Sequence, residues 1–225
     1  MGNFATKSLK AKTAVLYIDS SSDYAKGLAK NFEEVFVKNG GKIVGTESYL
    51  QKDQDFKATL TKIKAANPDV IFVPGYYEEV SKIIKQAREI GIAAAMLGGD
   101  GWDDPKLPEI AGAKALENTY FSNHYSSQDT DPMVVKFVDT FKKEYNREPN
   151  GFDVMGYDSA LLVIDAIKRA NSADPTKIRD ALEKTKDLVL TTSKISVNDH
   201  HDPVKSAVII GFKDGKQLFK EKINP

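Results

Sequence analysis

The sequence predicts an α/β fold with a doubly wound parallel sheet, followed by a mostly helical region. Short, near-continuous apolar segments alternate with longer segments in which apolar residues recur at helical spacing. The connections between them are short and rich in Ser, Asp, Asn, Gly and Pro. Apolar strands joined through helices are typical of parallel sheets, whose crossovers are right-handed.

The composition is that of a globular chain without a long apolar or charged block. With 225 residues, of which 41% are hydrophobic, the chain can form one large or two modest cores. Lys plus Arg and Asp plus Glu both number 32, and this balance predicts no nucleic-acid partner. No apolar run approaches the roughly 20 residues that a membrane span needs. The first residues do not resemble a signal peptide, which predicts a cytosolic protein or a mature or shortened chain.

Near the N terminus, a short helix (residues 3–10) precedes the first strand (13–18), in which almost every residue is apolar. The polar turn that follows contains Ser22 and Asp23, residue types that cap helix N termini. It leads into an amphipathic helix that ends at two glycines. The apolar face of that helix consists of Leu28, Phe32, Val35 and Phe36.

Three more strands continue the alternation. The second strand (43–50) is less apolar, which predicts a position nearer an edge of the sheet. A helix with apolar residues at helical spacing follows and stops at Asn67-Pro68. A buried strand (70–73), a helix up to Gly91 and another short strand (93–97) complete this part.

The second half of the chain is predicted to be mainly helical. A fifth strand (118–123) and a polar loop (124–131) precede three helices, at residues 132–145, 152–170 and 175–184. The third helix has Asp174 as its cap and Pro175 in its first turn. The chain then continues as a short strand, a turn and a hairpin, at residues 192–197, 198–203, 207–212 and 217–220. Asp214-Gly215 between the last two strands predicts a type I′ turn.

Several kinds of chemistry are disfavoured by the residues present. The turn after the first strand has no glycine and carries Asp19 and Asp23, which would repel a pyrophosphate. The absence of Cys excludes thiolate metal sites and Cys nucleophiles, and the run from Asp199 to Asp202 is read as a solvated turn. No Gly-x-Ser-x-Gly elbow is present. We therefore predict no cofactor, no bound metal and no enzymatic activity.

Four residues that follow strands form the candidate binding site: Tyr24, Tyr76, Asp100 and Trp102. The carboxyl ends of parallel strands lie at one edge of a sheet, where ligands bind in open α/β folds. A carboxylate in a mostly apolar cleft suits a ligand ammonium group, and aromatic faces add cation–π attraction and apolar walls. Two alternatives remain open: Trp102 packs over the sheet edge, or Asp100 caps a turn.

Motifs that occur in the same order in one known protein family extend over nearly the whole chain. They include Asn67-Pro-Asp-Val-Ile-Phe-Val-Pro-Gly-Tyr-Tyr77, Gly98-Gly-Asp-Gly-Trp102 and Gly156-Tyr-Asp-Ser-Ala160, with further matches at residues 12–27, 86–91, 165–170 and 213–216. In these segments the chain resembles the type I periplasmic binding proteins, specifically the leucine/isoleucine/valine-binding receptors of ABC importers.

This resemblance implies a role for each site residue. Tyr24 would flank the bound amino acid, Tyr76 would close on its backbone, and Asp100 would hold its α-ammonium group. We add Trp102 as a wall for the ligand side chain. The ligand would be an aliphatic amino acid of the Leu/Ile/Val class, delivered to an ABC permease in the membrane. The parent protein would be extracytoplasmic.

The resemblance also implies two lobes of a periplasmic-binding-protein fold. Residues 1–123 and 205–225 would form the second lobe, and 124–204 the helical remnant of the first. The N-terminal α/β segment of the family's first lobe has no counterpart, which predicts a truncated receptor with half of the cleft. The helix at 152–170 is too apolar for a one-sided surface helix. We therefore expect self-association, with exchange of residues 124–204 between chains as one route. A ligand-sensing effector domain of a regulator or receptor with the same fold is the alternative function.

Overall fold

Ten strands and seven α-helices are present in residues 1–223, the part of the chain that the computed structural model describes. The strands are β1 (Thr13–Asp19), β2 (Lys42–Tyr49), β3 (Val70–Phe72), β4 (Ala95–Gly98), β5 (Thr119–Asn123), β6 (Leu188–Val189), β7 (Lys194–Val197), β8 (Pro203–Val204), β9 (Ala207–Lys213) and β10 (Lys216–Ile223). The helices are α1 (Asp23–Lys38), α2 (Lys57–Ala66), α3 (Tyr77–Glu89), α4 (Lys106–Ala111), α5 (Pro132–Tyr145), α6 (Gly151–Ala170) and α7 (Pro175–Glu183). Shorter helical turns occupy Phe4–Ser8, Asp100–Trp102 and Ala113–Leu116.

The chain divides into two units. Unit 1 consists of Met1–Ser122 and Ile209–Lys220, and unit 2 of Asn123–Val208 and the segment that begins at Glu221. Within the described part of the chain, no helix has both the length and the apolar character needed to cross a membrane.

A seven-stranded sheet forms the framework of unit 1, with the strand order β10-β9-β5-β4-β3-β1-β2. The neighbouring pairs from β2 to β5 are all parallel. The predicted fold class, an α/β fold with a doubly wound parallel sheet, is therefore confirmed. β3 and β4 are buried at every position because both of their faces are covered, which explains their continuous apolar sequence. β2 lies at one edge, as its more polar sequence predicts.

The hairpin predicted near the C terminus is present as β9 and β10, which are neighbours in the sheet. Asp214 and Gly215 connect them, with φ of 52° and 76°. Positive φ at both central residues is what a type I′ turn requires, and Asp-Gly meets this requirement with little strain.

Side-chain caps mark the N termini of the three predicted helices of unit 2. Asp131 caps α5 through the amide of Met133, and Asp174 caps α7 through the amide of Lys177. Asn150 and Asp153 form a reciprocal capping box at the start of α6. A small core joins α5 and α6 and consists of Tyr125, Val134, Val138 and Val154.

A three-stranded sheet in unit 2, with the order β6-β7-β8, differs from the prediction. Residues 198–203 are predicted as a turn, but Pro203 and Val204 form a short antiparallel pairing with β7. β6 and β8 have two residues each, too few to produce an alternating apolar pattern in the sequence.

The outer surface of α6 carries large apolar side chains, as its composition predicts. Phe152 and Tyr157 are each 50% exposed. Val163, Ile164 and Ile167 are also exposed, and the spacing of the five residues gives them one side of the helix.

Candidate functional site

The candidate site lies at the topological switch point of the sheet. Strand order reverses between β1 and β3, which are neighbours although β2 separates them in sequence. Right-handed crossovers then leave the sheet on opposite faces, and the crevice between them at the carboxyl ends of the strands is where open α/β folds bind ligands. Tyr24 follows β1 and Tyr76 follows β3.

Tyr24 and Asp100 are directly hydrogen-bonded. The Tyr24 hydroxyl donates to Asp100 Oδ1 at 2.7 Å, and the same hydroxyl accepts from the Gly101 amide at 3.0 Å. Tyr24 lies in the first turn of α1, whereas Asp100 begins the helical turn after β4. The structure thus brings together two residues that are far apart in sequence and leaves the carboxylate half-buried.

Burial and the neighbouring carboxylate raise the pKa of Tyr24 well above its usual range, and burial is the larger cause. The hydroxyl therefore stays protonated at physiological pH and remains a donor to Asp100. The Tyr24 hydroxyl orients the Asp100 carboxylate, and carboxylate oxygens accept charge-assisted hydrogen bonds from cationic groups.

Tyr76 adds an aromatic surface beside this pair. Its ring stacks on that of Tyr24, with centroids 5.2 Å apart and planes 25° apart. The side chain is 37% exposed, because Tyr76 is the N-cap residue of α3 and lies at the sheet edge. Three of the four predicted site residues are therefore neighbours: Tyr24, Tyr76 and Asp100.

Glycine permits the close approach of the two turns that carry these residues. A Cβ atom at Gly101 would lie 2.6 Å from the carbonyl oxygen of Gly75. A Cβ at Gly99 would lie 2.9 Å from the Tyr24 hydroxyl. A larger residue at Gly101 would push the two turns apart, and a larger residue at Gly99 would displace the Tyr24 side chain.

Trp102 does not fit the role of a ligand wall. Its side chain has no exposed surface, and the indole Nε1 donates to the carbonyl oxygen of Val73 at 3.1 Å. A Cβ at Gly98 would overlap the indole ring, so the ring packs directly against β4. The predicted contact between Trp102 and the ligand side chain is therefore wrong for this geometry. The alternative, that Trp102 packs at the sheet edge, describes it correctly.

A groove beside Tyr76 is lined by a buried carboxylate, Glu79, which the sequence pattern does not identify. The groove has a volume of about 460 Å³, and Glu79 and Lys52 are among the residues that line it. Glu79 is 6% exposed and accepts a hydrogen bond from the Lys52 amide at 2.8 Å. The sequence signal was its position in the first turn of α3, three residues after Tyr76.

Comparison with known proteins identifies relatives of one kind. The family described as periplasmic binding protein matches residues 1–216. The leucine-, isoleucine-, valine-, threonine- and alanine-binding protein of Pseudomonas aeruginosa is 28% identical over 182 residues, which are 80% of this chain and 48% of the relative. Leu/Ile/Val-binding protein homolog 3 of Brucella melitensis is 28% identical over 96% of this chain and 58% of its own length. The chain thus spans about half the length of the curated relatives it matches.

Solved structures agree with these relatives. The leucine-binding protein LivK of Thermotoga maritima superposes with a TM-score of 0.92 at 37% identity, over 100% of this chain and 64% of that one. The substrate-binding protein LivJ of Streptococcus pneumoniae, a branched-chain amino acid transporter component in complex with isoleucine, gives 0.87 at 38% identity, over 100% of this chain and 63% of that one. These relatives and structures are binding proteins, not enzymes.

Proposed function

The chain belongs to the periplasmic binding protein family, and from this we propose that it is part of the substrate-binding component of a branched-chain amino acid ABC transporter. The observation that carries the proposal is the Tyr24–Asp100 pair, which lies beside the Tyr76 ring at the switch point of the sheet. Support for the ligand class comes from LivJ, which binds isoleucine, and from relatives named for binding leucine, isoleucine and valine.

In this proposal the Asp100 carboxylate accepts the α-ammonium group of the ligand. The Tyr24 hydroxyl holds the carboxylate in place, and the exposed face of Tyr76 attracts the same cation. Both attractions strengthen when a cleft closes and excludes water. These residues supply contacts to the ammonium end of an amino acid, and they amount to one wall of a cleft.

We further propose an assignment of lobes and partners. Residues 1–123 and 205–225 correspond to one lobe of the receptor, and residues 124–204 belong to the other. The receptor works outside the cytoplasm and delivers its ligand to an ABC permease. Family membership and the transporter component LivJ support the location and the permease.

The proposal is tested by titrating the isotope-labelled chain with small ligands and following the NMR signals of Tyr24, Tyr76 and Asp100. Leucine, isoleucine and valine are compared with two fragments of leucine: isoamylamine, which keeps the ammonium group, and 4-methylpentanoate, which keeps the carboxylate. Because this wall holds the ammonium group, the amine and the amino acids are expected to shift these signals and the carboxylate is not.

Asp100→Asn is expected to weaken binding of the amine about tenfold, the loss typical of a charged hydrogen-bonding partner. Asp139→Asn, which removes the same charge from α5 in unit 2, is the matched control and is expected to leave the affinity unchanged. If neither amines nor amino acids perturb the three residues, the proposed ligand class is refuted.

The exposed apolar side of α6 supports a second proposal, association with another copy of the chain. Five large apolar residues on one helical side exceed what a solvated helix normally presents. Exchange of residues 124–204 between two chains is one way to cover them. Light scattering is expected to detect dimers at high concentration, and Ile164→Glu with Ile167→Glu to abolish them. Lys168→Glu on the same helix is the control, and a strictly monomeric wild-type chain would refute self-association.

A further inference from the structure

Two buried aromatic side chains, Trp102 and Tyr49, donate hydrogen bonds to the turn that precedes Tyr76. Its carbonyl oxygens at Val73 and Pro74 are consecutive acceptors. Trp102 Nε1 donates to the first, and the Tyr49 hydroxyl donates to the second at 3.2 Å. Each donor comes from a different part of the chain, since Trp102 follows β4 and Tyr49 ends β2.

The Tyr49 ring has little freedom to move. It is 4% exposed and makes edge-on contacts with Tyr17, at a centroid distance of 5.2 Å, and with Phe56, at 5.8 Å. Its hydroxyl lies directly against Gly75, where an added Cβ would overlap the oxygen. A ring fixed on two sides gives the hydroxyl a fixed position under the turn.

The chemical environment keeps this hydroxyl protonated. Burial raises the pKa of Tyr49 far above its usual range, and the negative charges of Asp19 and Glu79 raise it further. Both carboxylates are themselves buried. The Tyr49 hydroxyl therefore keeps the proton that it donates to the Pro74 carbonyl oxygen.

From this arrangement we propose that Tyr49 is a positioning residue for the ligand site. Its hydroxyl fixes the Pro74–Gly75 segment, so that the Tyr76 ring stays stacked on Tyr24 and Gly75 stays packed on Gly101. Trp102 lies in the helical turn that begins with Asp100 and donates to the Val73 carbonyl of the same segment. Tyr49 makes no ligand contact in this proposal. The ligand role of Tyr76 rests on the proposed function, whereas the positioning itself does not.

The test compares Tyr49→Phe with Tyr17→Phe in the full chain. Each removes one hydroxyl from the same buried aromatic cluster, but the Tyr17 hydroxyl interacts with Thr59, whereas the Tyr49 hydroxyl donates to the turn at Pro74. In Tyr49→Phe the Tyr24–Tyr76 stacking is expected to loosen. The ring-current shifts that each of these two rings produces in the NMR signals of the other are therefore expected to become smaller. The Gly101 amide, which donates to Tyr24, is expected to exchange about fivefold faster, the change that corresponds to one ordinary hydrogen bond.

Tyr17→Phe is expected to leave both signals unchanged even if it lowers overall stability. The proposal is overturned if Tyr49→Phe leaves the tyrosine shifts and the Gly101 exchange unchanged, or if Tyr17→Phe changes them equally. Neither measurement uses a ligand, so a failure here is distinguishable from a failure of the amino acid and amine titrations to perturb Tyr24, Tyr76 and Asp100.

Discussion

In unit 1 the chain's single tryptophan, Trp102, has no exposed surface, whereas in unit 2 the aromatic residue at the start of α6, Phe152, is half exposed. Unit 1 places its large side chains between a seven-stranded sheet and its helices. The core cluster described in unit 2 has four residues, with Phe137 partly buried against it. Apolar packing therefore contributes more to unit 1 than to unit 2.

A buried polar network contributes to unit 2 as well. In unit 2 the buried carboxylate of Asp158 accepts hydrogen bonds from the amides of Thr191 and Thr192, at 2.9 and 3.2 Å, and from the Thr192 hydroxyl at 2.9 Å. Lys205 donates to the same hydroxyl at 2.9 Å. This network ties the loop before β7 to α6. In unit 1 the hydrogen-bonded pair of Tyr24 and Asp100 lies at the carboxyl edge of the sheet, where it is suited to a ligand.

The largest difference is expected between Trp102→Ala and Phe152→Ala. Trp102→Ala leaves a cavity under the site and removes the donor to Val73, and it is expected to lower the free energy of unfolding by about 3–5 kcal/mol. Phe152→Ala removes an exposed ring and is expected to change it by about 0.5 kcal/mol or less. Urea unfolding followed by circular dichroism measures both. Equal losses would mean that the two units do not differ in apolar packing.

A smaller but still substantial loss is expected for Asp158→Ala. Removing the carboxylate leaves two buried amides without their acceptor, which costs about 3 kcal/mol. Asp165→Ala on the same helix is the matched control, because it removes only a partly exposed ion pair with Arg169. Its expected cost is about 0.5 kcal/mol. Hydrogen exchange of α6 amides separates the two variants, and similar exchange rates in both would contradict the role of the network.

The sequence was sufficient for the sheet but not for the orientation of every side chain on it. Continuous apolar runs identify β1, β3 and β4, and polar residues after them identify the carboxyl edge. The same pattern cannot reveal that Trp102 turns inward, because that orientation depends on a distant acceptor, the carbonyl of Val73.

The sequence predicts which residues lie at the site but not how their side chains pair. Parallel strands guarantee that Tyr24, Tyr76 and Asp100 share one edge. Their pairing depends on the first turn of α1 and on the glycines at 99 and 101, whose close packing against Tyr24 and Gly75 has no local sequence signal. Glu79 was missed because its partner is a backbone amide in another loop.

The smallest expected effect concerns Lys205, and it depends on pH. Burial lowers the pKa of Lys205 from its ordinary value of 10.5, the charge of Lys222 lowers it further, and Asp158 partly offsets both. The unfolded chain therefore keeps the proton to higher pH than the folded chain. At neutral pH the folded protein carries the full cost of burying the Lys205 charge. Between the folded and unfolded pKa values the unfolded state binds more protons, so the free energy of unfolding rises with pH in that range.

Lys205→Met removes that charge while Thr192 keeps its bond to Asp158. It is expected to raise the free energy of unfolding by about 0.5 kcal/mol at neutral pH. This advantage is expected to shrink as the pH approaches 10.5, because the wild-type lysine then becomes neutral in the folded state. Lys168→Met, at an exposed position of α6, is the control and is expected to show no such pH dependence. Urea midpoints at neutral and alkaline pH measure the difference, and a stabilisation that is the same at both would show that burial of the Lys205 charge is not its cause.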